Sequence, residues 1–193
     1  HVVVIEALCK ARADLNKSVT DDQLLGATPL HVAATHGHFG VVKLLCEAGA
    51  DTSKARRGFI TPLYNAASSG HTSVVQYLCE TRVGQDVLDG HGITPFFAAV
   101  LEGHVAVVRY LCNARVDINA RMPQDDWNGA AVTPLTAALR GHFEIAQCLC
   151  NARADTNKAD GHGFAPLGIV ASEGAIDKVR LLCDFGACAH LSC

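Results

Sequence analysis

The sequence predicts an all-α solenoid, an array of helix-turn-helix units joined by β-hairpin fingers, and three observations predict it. The tetrapeptide Thr28-Pro29-Leu30-His31 returns as Thr61-Pro62-Leu63-Tyr64, Thr94-Pro95-Phe96-Phe97, Thr133-Pro134-Leu135-Thr136 and, eroded, Ala165-Pro166-Leu167-Gly168. The prolines are 33, 33, 39 and 32 residues apart. A second marker keeps pace as Gly37-His38, Gly70-His71, Gly103-His104, Gly141-His142 and Gly174-Ala175. Finally, Val41, Val42, Leu44, Leu45 and Cys46 recur as Val74, Val75, Tyr77, Leu78 and Cys79, an apolar face at helical spacing. In such an array each unit covers only its neighbours, so contacts stay local.

Each element follows from local chemistry. Thr28 before Pro29 starts the first helix: the hydroxyl can cap, and proline at the first helical position gives up an amide that had no partner. That helix runs through Leu30, Ala33 and Ala34, and the pairs Ala33-Ala34, Ala66-Ala67 and Ala137-Ala138 allow close helix approach. The marker glycine breaks the helix where the chain reverses. The second helix buries its apolar face, and the segment from Ala50 to Ile60 is long enough for an exposed hairpin finger. At the close of the second helix a glycine stands as Gly49 and Gly186 but is replaced by Arg12, Arg82, Arg115 and Arg153. That position favours the left-handed conformation. It costs arginine roughly 1 kcal/mol, partly offset by a cation's attraction to the helix C-terminus. The arginines are expected to form a solvated row balanced by Asp14, Asp117 and Asp155, with a stripe for an acidic partner as the other reading.

A 33-residue period carrying Thr-Pro-Leu-His resembles the ankyrin repeat, over nearly the whole chain. The resemblance implies one array over 1–193, with a partial repeat at 1–24 and repeats at 25–57, 58–90, 91–129, 130–162 and 163–193. It also implies a concave surface, built from the fingers and the inner faces of the first helices, that binds another protein. Carried over residue by residue, that surface comprises Leu24, Leu25, Ala27, Arg57, Ile60, Gly90, His91, Ile93, Val132, His162 and Phe164 in the fingers. The first helices contribute Thr35, His36, Ser68, Ser69, Leu101, Glu102, Arg140, Ser172 and Glu173. The set is apolar at the fingers and mixed in charge on the helices, which suits a protein better than a polyanion.

Two fingers are lengthened. From Cys46 to Thr61, Cys79 to Thr94 and Cys150 to Ala165 the step is 15 residues, but it is 19 from Cys9 to Thr28 and 21 from Cys112 to Thr133. The longer one, Arg121 to Gly129, carries the only Met, Met122, and the only Trp, Trp127. Closure entropy for a few extra residues is well under about 1 kcal/mol, so the insertion is cheap to keep, and Trp is enriched among binding anchors. Both residues are candidate partner contacts; the competing reading folds Trp127 back to shield the core. At the N-terminus, His1 to Cys9 matches His38 to Cys46, so the chain is expected to open on a second helix and to be part of a longer protein. Ile176, Val179 and Leu182 are expected to leave an apolar end bare.

Other chemistry is set aside on spacing. Cys9, Cys46, Cys79, Cys112, Cys150 and Cys183 share one repeat position. Stacked helices lie about 8–10 Å apart, beyond the ~7 Å reach of a disulfide, so these should be free thiols of a reducing, intracellular compartment. Cys148 and Cys150 diverge on one helix. His38, His71, His104 and His142 recur once per unit and cannot converge on one ion, so they are expected to be structural, and the Cys188, His190, Cys193 cluster is a weak metal candidate. Asn16, Asn119 and Asn157 stand where ankyrin-type repeats can be hydroxylated, though a turn-holding role fits them more simply. No nucleophile, zinc-protease or phosphate-loop motif is present. No apolar run reaches the ~18 residues of a membrane span, and a net charge of −3 argues against a nucleic-acid surface.

The expected function is therefore a non-catalytic adaptor or scaffold. It needs no cofactor or metal, and its partner is a protein or multi-subunit complex rather than nucleic acid, a small-molecule substrate or a bilayer. Two alternatives stand beside it: a peripheral subunit permanently docked in a larger, possibly organellar membrane, complex, and the docking part of a longer enzyme.

Overall fold

The structure is a computed structural model and describes residues 13–19, 26–80, 88–89, 91–122 and 131–187. Ten helices alternate in two layers among these residues. The first helices are α1 (Pro29–Thr35), α3 (Pro62–Ser68), α5 (Pro95–Leu101), α7 (Pro134–Gly141) and α9 (Pro166–Ser172). The second helices are α2 (Phe39–Glu47), α4 (Thr72–Glu80), α6 (Val105–Asn113), α8 (Phe143–Asn151) and α10 (Ile176–Asp184). First helices stack on first helices, second on second, and each pair packs together. The second helix expected over residues 1–9 lies outside the described residues.

The first helices start as their sequence dictates. Thr61 Oγ1 accepts from the Tyr64 amide at 3.1 Å, Thr94 Oγ1 from Phe97 at 3.1 Å and Thr133 Oγ1 from Thr136 at 3.2 Å. Ala165 has no hydroxyl to offer, so α9 lacks this cap. The core is one ladder of equivalent residues. Leu30, Leu63, Phe96 and Leu135 of the first helices are buried against Leu45, Leu78, Leu111, Leu149 and Leu182 of the second. Each contributes about 2 kcal/mol by leaving water. Ala33, Ala66, Ala99 and Ala138 share one repeat position and are enclosed, where a larger side chain would separate the helices.

The repeats are fastened by the second marker. His71 Nε2 donates to the Thr35 carbonyl at 2.9 Å, His104 Nε2 to Ser68 at 2.8 Å and His142 Nε2 to Leu101 at 3.0 Å, so each imidazole reaches back one repeat. These are the hydrogen-bonded structural histidines that the spacing predicts. Gly37, Gly70 and Gly103 have φ of +68, +78 and +81°, and a Cβ there would stand 2.4 to 2.7 Å from the next repeat's imidazole. Backbone and neighbour both demand glycine.

The hairpin fingers are smaller than expected. Strand pairing among the described residues is confined to the single bridges Arg56↔Ile60 and Met122↔Val132, because so few residues separate the turn from the capping threonine. Elsewhere a carboxylate closes the turn. Asp89 accepts from the His91 and Ile93 amides, and Asp160 from those of His162 and Phe164, at 2.8 to 2.9 Å.

Arg115 and Arg153 take the left-handed conformation in the place of glycine, with φ of 62 and 66°. Asp117 and Asp155 do not balance them as ion-pair partners. Their carboxylates instead hold the turn amides of Asn119 and Asn157, each at 2.9 Å, and no described ion pair joins them to the arginines. Arg12 and Arg82 lie outside the described residues. On α10, Ile176 is 65% exposed as expected, but Val179 turns inward and packs on the core, and Leu182 is fully buried. Among the described residues no helix is long and apolar enough to cross a membrane.

Candidate functional site

The residues assigned to a binding surface fall at the C-terminal ends of the first helices and on the finger turns. Thr35, His36, Glu102, Arg140, Ser172 and Glu173 are exposed, and Ser68, Ser69 and Leu101 are half-buried. This row separates backbone from side chain in its roles. The carbonyls of Thr35, Ser68 and Leu101 are taken by the histidines of the following repeats, while the side chains beside them remain at the surface. Glu173 is paired with Lys178 at 3.1 Å.

On the fingers, Arg57, His91, His162 and Phe164 are exposed, and Ile60 and Ile93 are half-buried. Three finger assignments are corrected. Ala27, Met122 and Val132 are buried at 2, 5 and 3% exposure, so none offers a side chain to a partner. Met122 and Val132 are drawn in because the base of the lengthened finger closes on itself, with the Met122 amide donating to the Val132 carbonyl at 3.0 Å. Leu24, Leu25, Gly90 and Trp127 lie outside the described residues.

The fourth position of the Thr-Pro-Leu-His motif ties helix to finger, and its chemistry changes along the array. Thr28 donates its amide to His31 Nδ1 at 3.1 Å, which leaves Nε2–H to donate to the Ile60 carbonyl of the next finger at 3.0 Å. Burial holds His31 below its ordinary pKa, and the cations Arg56 and Lys54 act in the same direction. Tyr64 does the equivalent work through its hydroxyl, which bonds the buried Asp89 carboxylate of its own next finger; burial and then that carboxylate push the phenol up. Phe97 is instead wholly apolar and buried, and Thr136 folds back onto Thr133.

Two asparagines do more than hold a turn. Asn16 Oδ1 accepts from the Asp51 amide at 2.8 Å and its carbonyl from Lys54 Nζ at 2.7 Å; Asn119 repeats this with Asp155 and Lys158 at 2.9 Å each. They are clamps between adjacent fingers.

Among the described thiols, the shared position is not uniformly buried: Cys79 and Cys150 are enclosed, Cys46 and Cys112 half-buried, and Cys183 exposed. Burial pushes Cys46 and Cys150 up to about 11. Cys112 is pushed to about 12, first by burial and then by Cys148, which faces it from the next second helix. That pairing is invisible from the shared position, because Cys148 stands two residues before it. The Cys188, His190, Cys193 cluster lies outside the described residues.

Family models match the chain in three segments: one described as ankyrin repeat at residues 25–56, one as ankyrin repeats in three copies at 52–122, and one as ankyrin repeats in many copies at 95–150. No curated protein matches the chain.

Proposed function

The chain belongs to the ankyrin-repeat family, whose repeats are generally protein-protein interaction modules, and from that premise we propose that it is a non-catalytic adaptor or scaffold. It binds a partner protein on the face formed by the finger turns and the C-terminal ends of the first helices. One observation carries the reading: the row Thr35, His36, Ser69, Glu102 and Ser172 leaves its side chains outside the core, so sequence can vary there without disturbing the array. The mixed charge of that row, with Glu102 and Glu173 beside Arg140, supports a protein partner over a nucleic acid.

The test is co-purification of the native partner with the chain and with two surface variants. Ser69→Arg combined with Glu102→Arg is expected to release the partner, whereas Gln147→Arg on the exposed side of α8 is expected to retain it. The reverse pattern would place binding on the second-helix face. A partner that stays in stoichiometric amount through high salt favours a permanent subunit, and an exchanging set favours the adaptor.

A further inference from the structure

The finger turn at 56–60 departs from its equivalents in three ways that converge on one ligand. Two residues before the cap, three of the other four fingers carry a left-handed glycine, Gly26, Gly92 and Gly163 with φ of 81, 77 and 87°, and the lengthened one carries Ala131, which is not left-handed, but the second repeat carries Phe59 with φ of 57°. A bulky side chain in the left-handed region is strained, and this one is also 68% exposed, so it gains nothing from the core. Strain combined with lost burial is a reason to look for a function at Phe59.

Where the turns at 89–93 and 160–164 begin with a buried aspartate, this one begins with Arg56, followed by Arg57. No described carboxylate lies within ion-pair distance of either arginine. The positive field of Arg56 reaches inward, where it adds to the burial that holds His31 below its ordinary pKa. Between this turn, α1 and α3 lies a hollow of about 200 Å³ lined by Val32, Thr35, His36, Arg56 and Asn65. Val32 is 37% exposed there.

Resting on the binding-face reading above, we propose that the 56–60 turn and its hollow take an acidic peptide segment bearing an apolar side chain. The apolar group enters the hollow beside Val32, and the residues flanking it meet the exposed Phe59 and the guanidinium groups of Arg56 and Arg57 on the turn. A polyanionic nucleic acid fits less well, because its backbone brings no apolar anchor to Val32 and Phe59 and the chain's net charge is −3.

Fluorescence anisotropy on the whole chain tests this with a fluorescein-labelled peptide of Asp and Glu around a central Phe-Leu pair. The control is the same peptide with Asn and Gln. The acidic peptide should bind saturably, weaken as salt rises from about 0.05 to 0.3 M, and exceed the amide peptide by about tenfold or more. Phe59→Gly should weaken it by about tenfold while the melting temperature holds or rises, and Arg57→Gln should weaken it without unfolding. Gln147→Ala, on the exposed side of α8, should leave it unchanged. Equal affinity for the two peptides, full affinity in Phe59→Gly, or equal competition by single-stranded DNA would overturn the proposal. If the acidic peptide fails while the Ser69→Arg, Glu102→Arg variant still sheds its partner, this proposal falls and the binding-face reading stands. If neither responds, both fall.

Discussion

The junction between the repeats capped by Thr94 and Thr133 and the junction that follows it carry the same glycine in different physical settings. At the earlier junction Gly103 is left-handed, and the imidazole of His142 lies over it on its way to the Leu101 carbonyl. At the later one Ala175 has no ring to send back. Gly141 is the last residue of helix α7, and a Cβ added to it would meet nothing within 4 Å. Gly174 is intermediate, left-handed at +68° but with open space beside it. The difference teaches that the glycine of this marker is demanded by two separable causes, its own backbone and the next repeat's histidine.

A three-member alanine series separates those causes. Gly103→Ala adds the left-handed penalty of about 1–2 kcal/mol to loss of a histidine bond worth about 1 kcal/mol, so a loss of roughly 2–3 kcal/mol is expected in denaturant unfolding. Gly174→Ala carries the backbone penalty alone, about 1 kcal/mol. Gly141→Ala should stabilise by up to about 1 kcal/mol, because alanine is the better helix former. Equal losses at all three positions would break the comparison.

The first junction can be sharpened by pH. His31 has a folded pKa below the ordinary 6.5, so the unfolded chain binds its proton first. Its contribution is complete above the unfolded value and is lost as the solution is acidified through about 6.5 and below. His31→Gln keeps a capping-box side chain but no titrating group. The parent is therefore expected to lose more stability than the variant between about pH 7.5 and 5, and parallel melting curves would contradict the assignment.

The smallest effect concerns the thiols along the second helices. Burial raises Cys46, Cys112 and Cys150 to about 11, 12 and 11, which leaves little thiolate at neutral pH, while Cys183 is exposed. Peptide mapping after brief alkylation should find Cys183 modified first among the described cysteines, with the full nine counted after denaturation. Rapid labelling of Cys112 would show that the groove between α6 and α8 is more open than its burial implies.

The fold was legible because the repeat states it several times. The threonine caps, the left-handed Arg115 and Arg153 and the histidine at the head of the second helix all follow from one unit's chemistry. What escaped the sequence lies where one unit meets another out of register. Cys148 reaches Cys112 across two helices at positions that are not equivalent. Met122 and Val132 read as exposed loop residues until the base of the long finger closes on itself. The binding face was legible as a set of positions, yet Ala27 shows its limit, since a position exposed in some repeats is enclosed in another. Phe59 could have been found by laying the fingers on one another, because three of the other four carry glycine at its place and the fourth the small Ala131.

Site-specific photo-crosslinking tests the central claim that the finger and first-helix face receives the partner while the second helices serve packing. A benzophenone side chain placed at His36, Ser69 or Glu102 should give an adduct of one molecular mass with the native partner, and one placed at Ser73, Gln76 or Gln147 should give none. Adducts confined to the second-helix positions would contradict the account.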